Sequence, residues 1–135
     1  MSDCIFCKII SGEIPSHKVY EDKNVLAFLD INPINPGHTL VIPKKHSADL
    51  LEAPEETVVE LIKIVKKIAL AVMKATGAKG FNLGLNNGEA AGQAVTHLHF
   101  HIMPRLENDG YKLWAGKSYK EGQAKQIAEK IKNEL

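Results

Sequence analysis

The sequence predicts an α+β protein: an antiparallel sheet of about five strands, one long helix and a C-terminal helix. Short apolar stretches separated by turn residues are typical of strands. Between Pro54 and Gly77, in contrast, apolar residues recur at helical spacing along one face. Three predicted strands precede this helix and two follow it, an order that favours an antiparallel sheet with helices packed on it. The 135 residues are enough for one hydrophobic core, so 1–135 is predicted to be a single domain.

The elements before the long helix follow from apolar runs and the breaks between them. Cys4 to Ile10 is apolar and stops at Ser11-Gly12, which predicts a helical turn. Residues 18–21 and 25–30 are predicted strands joined by a short polar turn. Prolines and a glycine make 32–37 a loop, after which 38–43 is predicted to return to a strand.

The long helix is expected to begin at Pro54, whose missing N–H costs nothing in a first turn, and to end at Gly77. Its predicted buried face consists of Val58, Leu61, Ile62, Val65, Ile68, Ala69, Val72 and Met73. A strand over 81–85 and a glycine-rich loop over 86–92 follow, and a histidine-bearing strand begins at 97. Four apolar positions predict a short amphipathic C-terminal helix: Ala124, Ile127, Ala128 and Ile131.

The segment 97–103 is the most informative stretch for function. Histidines and apolar residues alternate in it, which predicts a strand with one open and one buried face. The histidines on the open face are His97, His99 and His101, and the core residues are Leu98, Phe100 and Ile102. Neighbouring histidines would stand about 6.6 Å apart, too far for one metal ion to bind all three. The row therefore favours catalysis by separate imidazoles, and a half-exposed strand with chance histidines is the alternative.

Cys4 and Cys7 are spaced to bind one zinc ion, which needs two further ligands. The available histidines are His17, His38, His46 and those of the strand. A redox pair is disfavoured because no strand precedes the cysteines. Two reduced, buried thiols remain the other alternative.

Composition limits the partners that we expect. The net charge is +1 and Arg105 is the single arginine, so bulk attraction to nucleic acid or an acidic membrane is not expected. No apolar run reaches the roughly 20 residues of a spanning helix. Two cysteines in such a chain favour a reducing compartment, and the expected location is cytoplasmic. Asp30 ends an apolar strand beside the proline-rich loop, where it could accept hydrogen bonds from a ribose diol or cap the loop.

The chain resembles the histidine triad (HIT) superfamily, most of all the small prokaryotic members of its Hint branch. The resemblance rests on His-x-His-x-His followed by two apolar residues, and on four stretches that extend over almost the whole chain. These stretches are 4–10, 25–30, 37–46 and 92–105.

The resemblance implies a homodimer whose sheet continues across the interface, with a purine nucleotide site on each subunit. His99 would attack the α-phosphate of a nucleotide conjugate, and water would then hydrolyse the covalent nucleotidyl-histidine. His101 would contact the phosphate or leaving group, His97 would be the first histidine of the triad, and His38 would support the site. The implied nucleoside pocket is Ile5, Phe6, Phe28, Asp30 and Ile31, with Asp30 on the ribose hydroxyls. The implied phosphate contacts are Asn86, Gly92, Gln93, Ala94 and Val95, together with His99 and His101.

The resemblance also bears on the cysteines and on the substrate. In zinc-bearing relatives the metal ligands match Cys4, Cys7, His46 and His97, which implies a structural zinc. Many eukaryotic Hint proteins have a serine in place of Ala94, and its absence implies weaker phosphoramidase activity. The leading function is hydrolysis of adenosine phosphoramidate, acyl-nucleotides or dinucleoside polyphosphates. The alternatives are a nucleotide-binding regulatory or scaffold protein with weak turnover, and a nucleotidyltransferase.

Overall fold

A computed structural model describes residues 3–135 and confirms the predicted α+β class. The helices and strands are α1 (Ile5–Ile10), β1 (Lys18–Glu21), β2 (Val25–Leu29), β3 (Thr39–Pro43), α2 (Glu55–Thr76), β4 (Gly80–Leu85), β5 (Phe100–Arg105) and α3 (Gln123–Asn133). The strands form one antiparallel sheet with the order β1-β2-β3-β5-β4. The loop before β5 also contains a short 3-10 turn, Glu89–Ala91, that the sequence did not predict.

Helices cover β2 and β3 on both faces, which explains the unbroken apolar sequences of these two strands. In β2, Val25 and Ala27 pack into the core beneath α2. Leu26 and Phe28 point to the opposite face and pack with residues of α1. Successive side chains of a strand alternate between faces, so each central strand contributes to two cores.

The long helix lies close to its predicted bounds. Pro54 immediately precedes it, and Gly77 ends it in the left-handed conformation with φ of 73°. Its buried residues are Leu61, Val65, Ile68, Ala69 and Val72. Ile62 was wrongly placed on this face: it is 44% exposed, because one helical step carries it past the edge of the apolar stripe.

The C-terminal helix forms as α3, but the prediction that it packs on the sheet is wrong within this chain. Every residue from 111 to 135 is exposed. The physical reason is that α1 and α2 already occupy the two faces of the sheet. In residues 3–135, no helix combines the length and apolar character that a membrane span requires.

The histidine segment is the main departure from the prediction. The strand begins at Phe100, not at His97, because the Leu98 N–H donates to the Ser47 carbonyl (2.8 Å) instead of to a neighbouring strand. The predicted open face is also wrong: His97 is 0% and His99 is 6% exposed, since α1 lies over them. The core positions are confirmed, with Leu98, Phe100 and Ile102 all buried.

The strands β2 and β3 stop one residue short of their predicted inner ends, yet their pairing continues one step further. The Asp30 N–H donates to the His38 carbonyl (2.9 Å), so these two residues lie opposite each other at the end of the hairpin. Side chains at directly opposite positions share a face of the sheet. The hairpin therefore brings a carboxylate and an imidazole together beside β5.

Candidate active site

Strand register places an aromatic ring, an aliphatic side chain and a histidine in one row across the sheet. Phe28 pairs with Leu40, and Leu40 pairs with His101. Phe6 of α1 packs above this row, with its ring edge-on to Phe28 (centroids 5.5 Å apart) and to His99 (5.0 Å). Helix and sheet thus enclose an apolar space that ends at two imidazoles.

This space is a cavity of about 390 Å³ that brings together most of the predicted nucleotide-binding residues. Those lining it are Ile5, Phe6, Phe28, Asp30, Ile31, Ala94, Val95, His99 and His101. The sequence reasoning missed Ile9, Ile14, Pro15, Ser16, Leu29, Asn32 and Leu40. Ile9 could have been predicted, because it lies three residues after Phe6 on α1 and so shares its helix face. No local pattern predicts that residues 14–16 line the cavity.

Three of the predicted phosphate contacts lie outside this cavity. Asn86 lines a second groove, of about 810 Å³, with His38 and His101. Gly92 is exposed nearby. The Gln93 amide is occupied by backbone: it donates to the carbonyls of Ala48 (2.7 Å) and Val95 (3.0 Å) and accepts from the Gly88 N–H (2.9 Å). Gln93 therefore shapes the glycine-rich loop, and its contact with phosphate stays a prediction.

A chain of hydrogen bonds determines where His101 carries its proton. The Ile34 N–H donates to Nδ1 of His38 (3.1 Å), so the proton of neutral His38 is on Nε2. That Nε2 lies 2.9 Å from Nδ1 of His101 and 3.6 Å from the Asp30 carboxylate, so it donates to the closer imidazole. His101 consequently keeps its own proton on Nε2, where it can donate to a ligand.

His99 has the opposite arrangement. Its Nδ1–H donates to the His97 carbonyl (2.7 Å), which leaves the Nε2 lone pair free. Burial lowers the pKa of His99, although this hydrogen bond and the Asp30 charge oppose the shift. Burial, with the neighbouring His99 and His38, lowers the pKa of His101 from 6.5 to about 4. The site therefore places the unprotonated Nε2 of a neutral His99 near the Nε2–H of a neutral His101.

The four predicted metal ligands form one cluster, with a donor atom from each of Cys4, Cys7, His46 and His97 all within 4.8 Å of one another. Nδ1 of His97 lies 3.3 Å from the Cys4 sulfur and 3.6 Å from the Cys7 sulfur. Nδ1 of His46 lies 3.4 Å from the Cys7 sulfur and 3.1 Å from Nδ1 of His97. Tetrahedral zinc sets donors about 3.3–3.8 Å apart, so these distances fit a metal site.

The orientation of His97 agrees with metal binding. Its Nε2–H donates to the Pro43 carbonyl (2.8 Å), which leaves Nδ1 unprotonated toward the cysteines. His97 does not line the cavity, so of its two predicted roles the geometry supports the metal ligand. Two of the other candidate ligands, His17 and His38, lie outside the cluster.

Comparison with known proteins finds similar sequences along most of the chain. The HIT domain family model matches residues 11–108. An uncharacterized HIT-like protein of Methanocaldococcus jannaschii is 59% identical over 107 residues, which cover 79% of this chain and 82% of that protein. Schizosaccharomyces pombe adenosine 5′-monophosphoramidase is 46% identical over 113 residues, 84% of this chain and 81% of that enzyme. Arabidopsis thaliana adenylylsulfatase is 50% identical over 117 residues, 87% of this chain and 58% of that enzyme.

Solved structures show the same fold. A HIT family protein of Bacillus subtilis superposes with a TM-score of 0.91 at 45% identity, over 98% of this chain and 97% of that one. A Zn-bound histidine triad family protein of Mycobacterium smegmatis gives a TM-score of 0.78 at 36% identity, over 99% of both chains.

We predict that His101 makes the fold acid-sensitive. An unfolded chain binds a proton on this imidazole below about pH 6.5, whereas the folded site resists it down to about 4. The free energy of unfolding should therefore fall as the pH drops through that window. Urea unfolding of wild type and His101→Asn, at about pH 7 and 4.5, measures the difference. The variant should lose less unfolding free energy between the two pH values than wild type. Any effect of acid on the Cys/His cluster is common to both proteins and cancels in the comparison. Equal losses would contradict the prediction.

Proposed function

The chain belongs to the HIT domain family, and from this premise we propose that it hydrolyses purine nucleotide conjugates at the α-phosphate through a covalent nucleotidyl-histidine on His99. The observation that carries the proposal is the unprotonated Nε2 of His99, which makes no hydrogen bond within residues 3–135 and belongs to a ring that lines the cavity. A neutral imidazole nitrogen with an available lone pair is a competent nucleophile toward phosphorus.

Two steps complete the proposed reaction. His99 Nε2 attacks the α-phosphorus, and the bond from phosphorus to the leaving group breaks while the His101 Nε2–H donates a hydrogen bond to that group, which takes its proton from solvent. Water then attacks the phosphorus and loses its proton to solvent, the bond from phosphorus to His99 breaks, and a nucleoside monophosphate is released. His38 supports the first step because it holds Nδ1 of His101 as an acceptor and so keeps the proton on Nε2.

Binding of the nucleoside is proposed to divide between apolar and polar contacts. The rings of Phe6 and Phe28 stand edge-on at 73°, with Ile5 and Ile31 at the same cavity, and form a slot suited to a flat purine. The Asp30 carboxylate accepts from the Asn32 N–H (2.8 Å) and keeps further lone pairs for the ribose hydroxyls.

Similar proteins support the substrate class. The Schizosaccharomyces pombe and Arabidopsis relatives are named for adenosine 5′-monophosphoramidate and adenylyl sulfate chemistry, respectively. In this chain the cavity wall has the methyl group of Ala94, which offers no hydroxyl to a departing amine. We therefore propose that the protein hydrolyses adenosine phosphoramidate more slowly than acyl-nucleotides or dinucleoside polyphosphates.

We further propose that the Cys4, Cys7, His46 and His97 cluster holds one structural zinc ion. Burial and the neighbouring Cys4 raise the pKa of the Cys7 thiol, and a bound cation would offset this by stabilising the thiolate. Unpaired thiols suit a reducing compartment such as the cytoplasm.

A homodimer is proposed through β4, one of the two edge strands of the sheet. The strand β4 has a partner on one side only, and its Phe81 and Leu83 are 41% and 45% exposed. Two antiparallel copies of such an edge would pair their unused backbone groups about a twofold axis and cover these side chains. The groove beside the edge reaches His101 and is also lined by Trp114, so the interface would adjoin the active site.

We predict that His99→Ala abolishes hydrolysis of adenosine phosphoramidate, adenylyl sulfate and diadenosine polyphosphates, because loss of a covalent nucleophile costs several orders of magnitude in rate. Binding of AMP, followed by calorimetry, should persist. The exposed His17 lies outside the site, so His17→Ala is the matched control. If His99→Ala kept a tenth of the activity, the covalent mechanism would be wrong. Wild type that binds AMP but hydrolyses none of the panel would favour the scaffold alternative.

We predict about one zinc per chain in protein purified without added metal, measured by elemental analysis. A metal that binds only the folded state stabilises it, so a chelator should lower the melting temperature. Cys7→Ser should lose both the zinc and the response to chelator, whereas Ser11→Ala, at an exposed position after α1, should keep them. Metal-free wild type with the same melting temperature would disprove the assignment.

We predict that Leu83→Lys converts a dimer to a monomer, because the charge would be buried at the edge of β4. Leu51→Lys is the control, since Leu51 is 90% exposed and belongs to the turn before α2. Analytical ultracentrifugation gives the mass of each protein. A wild-type monomer, or a Leu83→Lys variant that stays dimeric, would overturn the proposed interface.

A further inference from the structure

Ser16 has an unusual hydroxyl. Among the buried side-chain nitrogen and oxygen atoms of residues 3–135, its Oγ alone has no hydrogen-bond partner. A buried hydroxyl without a partner is unfavourable, and such an atom in a folded protein calls for an explanation. Ser11, on the same connection between α1 and β1, shows the ordinary situation, because it is exposed and its Oγ donates to the Lys8 carbonyl (3.0 Å).

The position of Ser16 connects this hydroxyl with the cavity. The residue lines the cavity together with Ile14 and Pro15. The next residue, His17, accepts the Leu29 N–H at its carbonyl (3.0 Å), which ties this segment to the end of β2. The backbone of Ser16 is thereby held beside the two residues that follow Phe28.

The three other polar side chains of this cavity with a proposed ligand role have partners within the protein. Asp30 accepts from the Asn32 N–H, His99 donates to the His97 carbonyl, and His101 accepts from His38. The Ser16 hydroxyl has both a donor and two acceptor lone pairs unused. A ligand is therefore the group available to satisfy it.

We propose that Ser16 is a specificity-determining residue whose hydroxyl forms a hydrogen bond with the polar edge of the purine in the cavity. This inference rests on the proposed function and adds to it a group that recognises the base. The carboxylate of Asp30 has lone pairs enough for both ribose hydroxyls, and the phosphate belongs with the histidines. The base is the remaining part of the nucleotide, and its polar edge would meet a wall that is otherwise made of Ile14, Pro15 and Phe28.

The hydroxyl also distinguishes ligands by what they leave unsatisfied. A base that presents a nitrogen or oxygen to Ser16 removes the cost of the buried hydroxyl, whereas a ligand without a base does not. Ser16→Ala should consequently weaken nucleotide binding and leave the free protein as stable as wild type, or more so.

The experiment compares wild type, Ser16→Ala and Ser11→Ala. Calorimetry measures the Kd of AMP, GMP, 2′-deoxy-AMP and ribose 5-phosphate, and thermal unfolding measures the stability of each free protein. For Ser16→Ala we expect about a fivefold weaker Kd for AMP and 2′-deoxy-AMP, a loss for GMP that differs from the AMP value, and no change for ribose 5-phosphate. In turnover, KM should rise by a similar factor with kcat within about twofold. Ser11→Ala should match wild type throughout.

Each failure has its own reading. Wild type that binds neither AMP nor GMP would overturn the proposed function and this inference with it. Wild type that binds and turns over, with Ser16→Ala unchanged, would overturn the inference alone. A loss seen for ribose 5-phosphate, or one absent for 2′-deoxy-AMP, would refute recognition of the base in favour of the ribose. A lower melting temperature for free Ser16→Ala, with equal losses for all ligands, would show a structural role and also refute the inference.

Discussion

The hydrogen bond from the His99 imidazole to the His97 carbonyl orients the nitrogen that we propose as the nucleophile, and its acceptor is fixed from two further directions. The His97 ring joins the Cys/His cluster through Nδ1 and the Pro43 carbonyl through Nε2. Between the two histidines, the Leu98 N–H donates to Ser47. This turn is therefore held by partners 93 and 54 residues away in the sequence, so contacts with Cys4 and Pro43 determine the position of the carbonyl that His99 bonds.

Phe6 connects the cluster and the cavity mechanically. Its ring packs edge-on against His97 (5.9 Å) and His99 (5.0 Å), and against Phe28 on the far side of the cavity. Cys4 caps the N-terminus of α1 and Cys7 lies on it, a helix of only six residues that would not be stable alone. The proposed metal ligands thus anchor the short helix that supplies an aromatic wall of the cavity, so the proposed structural and binding roles belong to one element.

Local patterns predicted the elements well, because period-two and helical periodicities report which faces are buried. They correctly placed Leu98, Phe100 and Ile102 in the core and Gly77 at the end of α2. They failed where burial depends on distant segments. The alternation around His99 cannot show that α1 covers its second face, and the four apolar positions of α3 cannot show that both sheet faces are occupied. The His38–His101 contact follows from the register of β3 against β5. The buried Ser16 hydroxyl belongs to a segment that pairs with the end of β2. The family resemblance, by contrast, assembled the four-residue cluster.

The loop between Asp30 and His38 is tied to both of the side chains that it joins. Sheet register places the two residues, while the Asn32 N–H donates to the Asp30 carboxylate and the Ile34 N–H donates to Nδ1 of His38. Gly37 is a further constraint, since its φ is 101° and a Cβ there would come within 2.6 Å of Thr76 Cγ2. A slip of one residue in β2 would turn the carboxylate away and expose its core side chains. Redesign of this loop therefore has to preserve two backbone N–H groups as well as the strand register, because a backbone amide, and not only side chains, sets the proton positions of the imidazoles.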